Sequence, residues 1–508
     1  MKQNLVEEWE LMPRRKQAEK ILGQALGGMG ADPDKNAAFV LQAVDNITGD
    51  PKQELVRQWF YHWMRANGPG REFLTRIARD IHPRVRERYV ARMVTSLFFR
   101  DEDVLERGQE KFGLNPPATM LISPSMRCNY RCHGCYAGSY ERKDDMDPAV
   151  FDRVLGEAEK LGINFITILG GEPFIYPELL EVLEKHPDPF YQIYTNGSFI
   201  DRQMARRLVE LGNIAPQISI NGPREYTEAS RGQGSYDICL QAMQNLHEAG
   251  GIFGFSTLVT RHNMDAVCAD AWIDFLAAQG ALYGWLFMFM PVGSDPDMDL
   301  MPTPAQRDQM RRFQQHIRNN KPIMLVDFWN DGVLTSGCIA GGRLYFHVNH
   351  RGDVEPCIFC HFATDNIHDK PLLEALQSPF FQGIRAEQPF CYNTLRPCPM
   401  IDHPRHMWRI IQEHGARPTH AGAEVMFTQL EAPLKKYAEG VRQVMDHAWE
   451  KEGYSQWAPQ WMEFCGISPG QVERRRREFE EARGKESAGE EEEAAAGPSA
   501  AVYAAVSN

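Results

Sequence analysis

Short apolar runs alternate with helical stretches along the middle of the chain, and this alternation constrains the fold most strongly. Residues 118–330 contain six such runs, each followed by a segment of helical character. Strands and helices in strict alternation form parallel sheets, because each crossover returns the chain to the same edge. The sequence therefore predicts an α/β fold, either doubly wound or closed into a barrel. The predicted strands span 119–122, 165–169, 192–194, 217–220, 253–259 and 285–290.

Four further segments differ in composition from this α/β core, which we place at 116–330. Residues 1–115 are predicted to form a helical N-terminal domain. Residues 331–405 are rich in Cys, Gly and His, and helices are expected again over 406–483. Residues 484–508 contain too few apolar side chains to pack, so we expect a disordered, acidic and alanine-rich tail.

Charge and hydropathy argue against two classes of partner. The chain has 508 residues and a formal net charge of −13, which disfavours broad binding to nucleic acid or to anionic membranes. No apolar run reaches the roughly 18 residues that a membrane span needs. Acidic residues close to the first methionine do not fit a secretory signal. We therefore expect a cytoplasmic protein without a transmembrane segment.

Three of the eleven cysteines lie close together in the sequence, in the order Cys128, Cys132 and Cys135. In a reducing compartment such a group favours metal ligation over disulfides. The group follows the first predicted strand, at the end of a parallel sheet where ligands bind. Structural zinc sites and electron-transfer clusters usually have four protein ligands. Three thiolates on a [4Fe–4S] cluster therefore leave one iron open; the alternative is a zinc site completed by His133.

A second group of cysteines lies within 331–405. Thirteen residues separate its first cysteine from Gly352, and four more separate Gly352 from the next. We expect 351–353 to be the turn of a hairpin whose first strand is 344–348. The competing hypothesis is a zinc site whose ligands are four of these cysteines, or some of them together with His361. The group consists of Cys338, Cys357, Cys360, Cys391 and Cys398.

Further short motifs follow the later strands. Gly170-Gly171-Glu172-Pro173 comes after the second strand, and adjacent glycines let the backbone approach a ligand closely. Asn196 lies in a Thr-Asn-Gly turn after the third strand. Ser219 and Arg231 come after the fourth strand. Each motif alone is weak, because Asn-Gly turns and surface arginines are common.

Together these motifs resemble the radical S-adenosylmethionine (SAM) superfamily. Its members carry C-x3-C-x2-C after the first strand of a partial (β/α)6 barrel, and the open iron chelates the amino and carboxylate groups of SAM. The family usually has an aromatic residue before the last cysteine, where this chain has Gly134. The resemblance implies that the SAM-binding residues are Gly170, Gly171, Glu172, Pro173, Asn196, Ser219 and Arg231.

The spacing of Cys338, Gly352 and Cys357 resembles the auxiliary-cluster domain of many radical SAM enzymes, called SPASM with two clusters and twitch with one. The C-x2-C-x5-C-x3-C run of a full SPASM domain is absent. The resemblance therefore implies one auxiliary iron–sulfur cluster. Its expected ligands are Cys338, Cys357 and Cys398, with Cys360 or Cys391 as the fourth.

The resemblance covers about residues 118–400 and implies an oxidoreductase- or transferase-type enzyme. An electron donor such as flavodoxin or ferredoxin would reduce the cluster. SAM would then be cleaved to methionine and a 5′-deoxyadenosyl radical, which abstracts hydrogen from an unactivated carbon. A peptide or protein is the leading substrate hypothesis. The alternatives are lipid acyl chains or another hydrophobic molecule, and a non-enzymatic zinc-binding interaction module.

Overall fold

The computed structural model describes residues 22–24, 26, 29–30, 32–47, 54–66, 68–93, 108–137, 145–293 and 296–495. Predictions for the remaining residues, including much of the start of the N-terminal domain, lie outside this part of the chain. Within the described ranges, no helix combines the length and the apolar character needed to cross a bilayer.

Seven parallel strands form the centre of the fold and confirm the predicted α/β architecture. Each strand pairs with the next one along the chain. All six predicted strands are present within about three residues of the expected bounds. The seventh was missed because a run of four residues is too short to show a pattern. The strands are β1 Thr119–Ser125, β2 Phe165–Gly170, β3 Phe190–Thr195, β4 Ile214–Ser219, β5 Gly254–Val259, β6 Tyr283–Met288 and β7 Met324–Asp327.

Helices connect successive strands, as the alternation predicts. The first begins after Asp147, whose side chain accepts a hydrogen bond from the Ala149 N–H and caps the helix. These helices span Pro148–Lys160, Leu179–Lys185, Arg202–Leu211, Arg224–Arg231, Ser235–Ala249, Met264–Val267, Asp270–Ala278 and Pro304–Asn320.

The N-terminal helices close the amino end of the barrel. Trp63 and Tyr89 share a hydrophobic core with Phe165, Phe190 and Tyr283 at the amino ends of the strands. Burial of apolar surface of this kind is the main driving force of folding. These helices comprise Pro33–Ile47, Glu54–Trp63, Pro69–Asp80 and Pro83–Val85, followed by a π-helical turn at Arg86–Val90.

The cysteine-rich segment extends the same sheet beyond β1. Strand β8, His347–Val348, pairs in parallel with β1, and β9, Val354–Glu355, pairs antiparallel with β8. The predicted strand 344–348 is regular only at its last two residues. The turn between β8 and β9 contains Gly352, whose φ of +81° lies in the region that favours glycine. A further small sheet pairs Phe362–Ala363 with Arg417–Pro418.

The C-terminal helices extend further than the sequence predicts. We expected a disordered tail from residue 484, but the final helix continues to Ala495. Glu, Lys, Arg and Ala have high helix propensity, so a polar segment can remain helical without an apolar face. Residues 496–508 lie outside the described part. The helices are Leu372–Leu376, Pro379–Ala386, Pro404–Glu413, Glu431–Lys451, Ala458–Phe464 and Pro469–Ala495.

A buried ion pair joins the barrel to the cysteine-rich segment. Arg307 donates to both carboxylate oxygens of Asp402, at 2.5 and 3.1 Å, and both side chains are fully buried. Asp402 also accepts a hydrogen bond from the Cys398 N–H at 3.0 Å. Removing either charge would leave the other buried without compensation. The pair therefore fixes the loop that carries Cys398 against the barrel.

We expect Arg307→Met to lower the free energy of unfolding by about 3–5 kcal/mol, because Asp402 would remain buried and unpaired. Arg312→Met is the matched control, since Arg312 lies on the same helix but is largely exposed. The control should change the free energy by less than about 1 kcal/mol. Urea unfolding measures both, and equal effects of the two substitutions would contradict this account.

Candidate active site

A partly open cavity of about 250 Å³ lies inside the barrel. The three-cysteine loop forms one end, and inward-facing strand residues form the walls. Among the described residues, the lining contains no Asp or Glu, and its basic side chains are those of Arg231 and His133. The predicted site residues that line it are Cys128, Cys132, Cys135, Gly170, Gly171, Asn196, Ser219 and Arg231.

The cysteine loop is held on two sides. The His133 N–H donates to the Ser230 carbonyl at 2.8 Å, and the Asn129 amide donates to the Ser198 hydroxyl at 2.9 Å. Gly134 has a φ of +72°, and a Cβ there would lie 2.8 Å from the Phe289 ring. The aromatic residue that the family usually has at this position therefore does not fit.

The thiols of this loop are partly buried. Burial, together with the neighbouring thiols Cys132 and Cys128, raises the pKa of Cys135 to about 11. Cysteine ligates metals as the thiolate. Cys135 therefore loses its proton when a positively charged metal centre binds.

The two glycines after β2 lie directly against the start of the cysteine loop. A Cβ on Gly170 would be 2.2 Å from the Ser125 carbonyl oxygen, and one on Gly171 would be 2.1 Å from that of Arg127. The Gly171 N–H donates to Ser125 at 3.0 Å. Any larger residue would push the two segments apart, so the motif needs glycine for steric reasons.

Glu172 does not line the cavity, although the resemblance implies a contact with SAM. Its carboxylate accepts hydrogen bonds from the Thr195 hydroxyl at 2.8 Å, the Asn196 N–H at 2.7 Å and the Phe174 N–H at 3.3 Å. It therefore holds the turn that carries Asn196. Pro173 begins a short 3₁₀ helix and also lies outside the cavity lining.

Arg231 provides the polar end of the cavity. Its Nη2 donates to the Asn221 Oδ1 at 3.4 Å, and its buried Nε has no hydrogen-bond partner within the described structure. Asn196 donates to Asn129, and Ser219 lies 3.4 Å from Ser256. An arginine with an unused donor, in a cavity without acidic residues, is suited to bind a carboxylate. The residues present therefore fit a ligand such as SAM.

Four of the five cysteines in the second group lie near one another. Burial raises the pKa of Cys360 well above its usual value, and the thiols of Cys357, Cys338 and Cys398 raise it further. The Tyr345 hydroxyl donates to Cys357 Sγ at 2.7 Å.

Cys391 has a different environment from the other four. The Arg396 guanidinium donates to its sulfur at 3.1 Å, and the charges acting on it come from Arg396, Asp446 and Arg475. Of the two candidates for the fourth ligand, the structure therefore favours Cys360.

The zinc alternatives gain no support from the geometry. Thiolates on one zinc ion lie about 2.3 Å from it, so their sulfurs are close together. Among the described residues, no three His, Cys, Asp or Glu side chains are grouped closely enough to hold a single ion. His361 Nε2 donates to the Ile358 carbonyl at 2.7 Å, and its Nδ1 hydrogen-bonds with Nε2 of His420.

The fold and the three-cysteine cavity define a radical SAM enzyme. Two protein-family models match the chain: the radical SAM superfamily over residues 122–270, and an iron–sulfur cluster-binding domain, SPASM, over residues 338–399. The chain therefore carries a radical SAM domain followed by a SPASM domain. The radical SAM domain binds a [4Fe–4S] cluster and SAM. The SPASM domain binds auxiliary iron–sulfur clusters.

Several known proteins are similar to this chain. Mycofactocin maturase MftC of Mycolicibacterium smegmatis is 28% identical over 276 residues, which are 51% of this chain and 67% of the relative. The AdoMet-dependent heme synthase of Nitratidesulfovibrio vulgaris is 24% identical over 302 residues, or 52% and 80%. SuiB of Streptococcus suis, solved with bound S-adenosylmethionine, has a TM-score of 0.50 and 18% identity, covering 61% of this chain and 80% of SuiB. That last likeness shows the fold alone.

Some lining residues were not found from the sequence. Ile339, Ile358 and Phe359 come from the cysteine-rich segment, and each is adjacent in sequence to a predicted auxiliary ligand. Tyr136 also lines the cavity and packs edge-on against Phe359, with ring centroids 5.9 Å apart. No spacing signal identifies these residues, because the contact joins segments more than 200 positions apart.

Glu172 gives a prediction of pH dependence. Burial raises its pKa from 4.5 to about 7 in the folded chain, so the folded state binds an additional proton between these values. The contribution of this group to stability is complete below pH 4.5. It is lost as the pH rises through 7, by up to about 3 kcal/mol. In Glu172→Gln, the free energy of unfolding should therefore fall less steeply from about pH 5 to 8 than in the wild type.

The exposed Glu181→Gln is the control for this measurement and should retain the wild-type slope. Denaturant unfolding at each pH gives the three curves. Parallel curves for Glu172→Gln and the wild type would show that the carboxyl titrates normally.

Proposed function

We propose that this enzyme uses SAM-derived radical chemistry to modify an unactivated carbon of a peptide or protein. The observation that carries the proposal is a single cavity shared by both cysteine regions. Cys128, Cys132 and Cys135 line one part of it, and Ile339 and Phe359 line another. A substrate group in the cavity would therefore lie between the radical source and the auxiliary site.

Cys128, Cys132 and Cys135 would hold a [4Fe–4S] cluster with one open iron, and Arg231, Asn196 and Ser219 would contact SAM. When bound and reduced, this cofactor pair supplies a 5′-deoxyadenosyl radical that removes a hydrogen atom from substrate. The chain itself positions the reactants, because Gly170 and Gly171 let the turn after β2 pack directly against the start of the cysteine loop. The apolar walls exclude water, which would otherwise compete with the reaction.

The substrate class rests on more than the names of relatives, which include both a maturase and heme synthases. A lipid substrate would be favoured by exposed aromatic residues on the N-terminal helices. In the described part of those helices Phe60 and Trp63 are buried, and the exposed large side chains are Phe39 and Tyr61. Two exposed rings in the described part of those helices give the lipid alternative little support, so a peptide remains the leading substrate hypothesis.

Two further features belong to this proposal. The cluster needs a one-electron donor, and flavodoxin or ferredoxin has suitable chemistry.

No disulfide joins any of the eleven cysteines, all of which lie in the described ranges. Reduced thiols are typical of the cytoplasm, where we place the enzyme.

The radical SAM reaction itself is tested by anaerobic reconstitution with iron and sulfide, followed by SAM and a strong reductant. We expect 5′-deoxyadenosine from the wild type and none above background from the triple variant Cys128→Ala, Cys132→Ala, Cys135→Ala. Cys268→Ala controls for loss of a partly buried thiol away from the cavity and should retain activity. Deoxyadenosine from the triple variant, or none from the wild type, would refute the assignment.

For the auxiliary site, we propose Cys338, Cys357, Cys360 and Cys398 as ligands. Cys360→Ala should therefore lower the iron and sulfide content per chain, toward the loss of one cluster, because one auxiliary iron would have no protein ligand and the cluster would be held less firmly. Cys391→Ala is the matched control and should retain the wild-type content. Iron and sulfide analysis distinguishes the two, and the opposite pattern would make Cys391 the fourth ligand.

A further inference from the structure

The barrel cavity has an inner compartment that none of the proposed SAM contacts uses. We define it by five inward-facing residues: Thr119, Thr167, Gln192, Ser256 and Trp285. They come from β1, β2, β3, β5 and β6, and each lies in the first half of its strand. The cysteine loop follows the carboxyl end of β1, so this compartment lies deeper in the barrel.

The inner compartment contains polar groups that the protein does not satisfy. Thr119 Oγ1 and Trp285 Nε1 are buried and have no hydrogen-bond partner within the described structure. The Gln192 amide donates to the Tyr194 hydroxyl at 2.8 Å, which leaves the hydroxyl proton of Tyr194 to donate elsewhere. Buried groups without partners cost roughly 1–3 kcal/mol each. They are retained where a ligand or water completes them.

Among the described residues, none of those that line this compartment is charged. The basic side chains of the cavity, Arg231 and His133, belong to its outer end beside the cysteine loop. A carboxylate or ammonium group placed among the inner residues would be buried without a counter-ion, which is strongly unfavourable. A ligand for this compartment is therefore neutral.

Aromatic rings form its walls. Trp285 stacks on Phe287 with centroids 5.9 Å apart, and Tyr194 meets Phe287 edge-on at 5.7 Å. Phe165 also lines the cavity. Aromatic surfaces of this kind favour a planar apolar group.

We propose that the inner compartment binds the substrate through an uncharged aromatic group that carries one hydrogen-bonding oxygen, as a phenol does. The ring packs against Phe287 and Phe165, and Trp285 Nε1 and Thr119 Oγ1 are the buried groups available to hydrogen-bond the oxygen. The role of this site in the reaction rests on the proposed function, but the binding itself does not.

The test uses p-cresol as the probe, with toluene and p-toluate as matched ligands that lack the hydroxyl or add a charge. Reconstituted enzyme with SAM but without reductant is titrated by ligand-observed NMR. For a ligand of this size we expect dissociation constants in the millimolar range, about 5-fold lower for p-cresol than for toluene. Binding of p-toluate should be weaker than both.

Two variants test whether p-cresol binds in the inner compartment. Trp285→Phe and Thr119→Val should each weaken p-cresol binding about 3- to 10-fold, the value of one hydrogen bond, and leave toluene unchanged. Phe39→Leu, at an exposed ring outside the cavity, is the control. Iron content and circular dichroism check folding, and Thr119→Val, which conserves shape, keeps the test valid if Trp285→Phe misfolds.

Equal binding of p-cresol and toluene, tight binding of p-toluate, or no effect of either variant would overturn the proposal. Adding reductant to the same samples separates it from the proposed function. Deoxyadenosine formation without p-cresol binding removes only the inner-compartment site. Binding of p-cresol without deoxyadenosine formation removes only the radical reaction.

Discussion

The pairing of β1 with β8 fixes where the two cysteine groups lie. The loop with Cys128 follows the carboxyl end of β1, and Cys357 follows β9, which pairs with β8. A buried hydrogen-bond chain reinforces this seam, from the Ser123 hydroxyl to His347 at 2.7 Å and on to Glu355 at 2.6 Å. Both cysteine sites thus depend on one strand, and the cavity between them follows from that arrangement.

Burial affects both the thiols and the walls of this cavity. It raises the pKa of Cys357 to about 12, although the Tyr345 hydroxyl opposes the shift. The thiol therefore ionises only with help from a metal centre. The same burial gives the barrel a mostly apolar interior, which excludes water and strengthens the few polar contacts that remain. Metal ligation by the thiols and radical chemistry in the cavity thus both depend on burial away from water.

Local patterns predicted the parts of the structure that depend on local chemistry. The six strands followed from apolar runs, and the spacing of Cys128, Cys132 and Cys135 indicated where a site would lie. The close packing of Gly170 and Gly171 against the cysteine loop did not follow from the sequence. The orientation of Glu172 did not, because only the fold shows that the Thr195 and Asn196 turn reaches its carboxylate. The choice of Cys360 over Cys391 also needed the fold, since sequence spacing does not report that Arg396 occupies the neighbourhood of Cys391. The inner compartment could not be predicted from the sequence either, because its residues come from five different strands.

The central claim is that the three-cysteine loop holds a cluster whose open iron binds SAM. Electron paramagnetic resonance of the reduced protein tests it most directly, in a Cys338→Ala, Cys357→Ala variant that leaves one cluster. The account predicts the signal of a reduced [4Fe–4S] cluster whose g values change when SAM is added. A signal that SAM leaves unchanged, or protein that retains zinc and no sulfide, would contradict it.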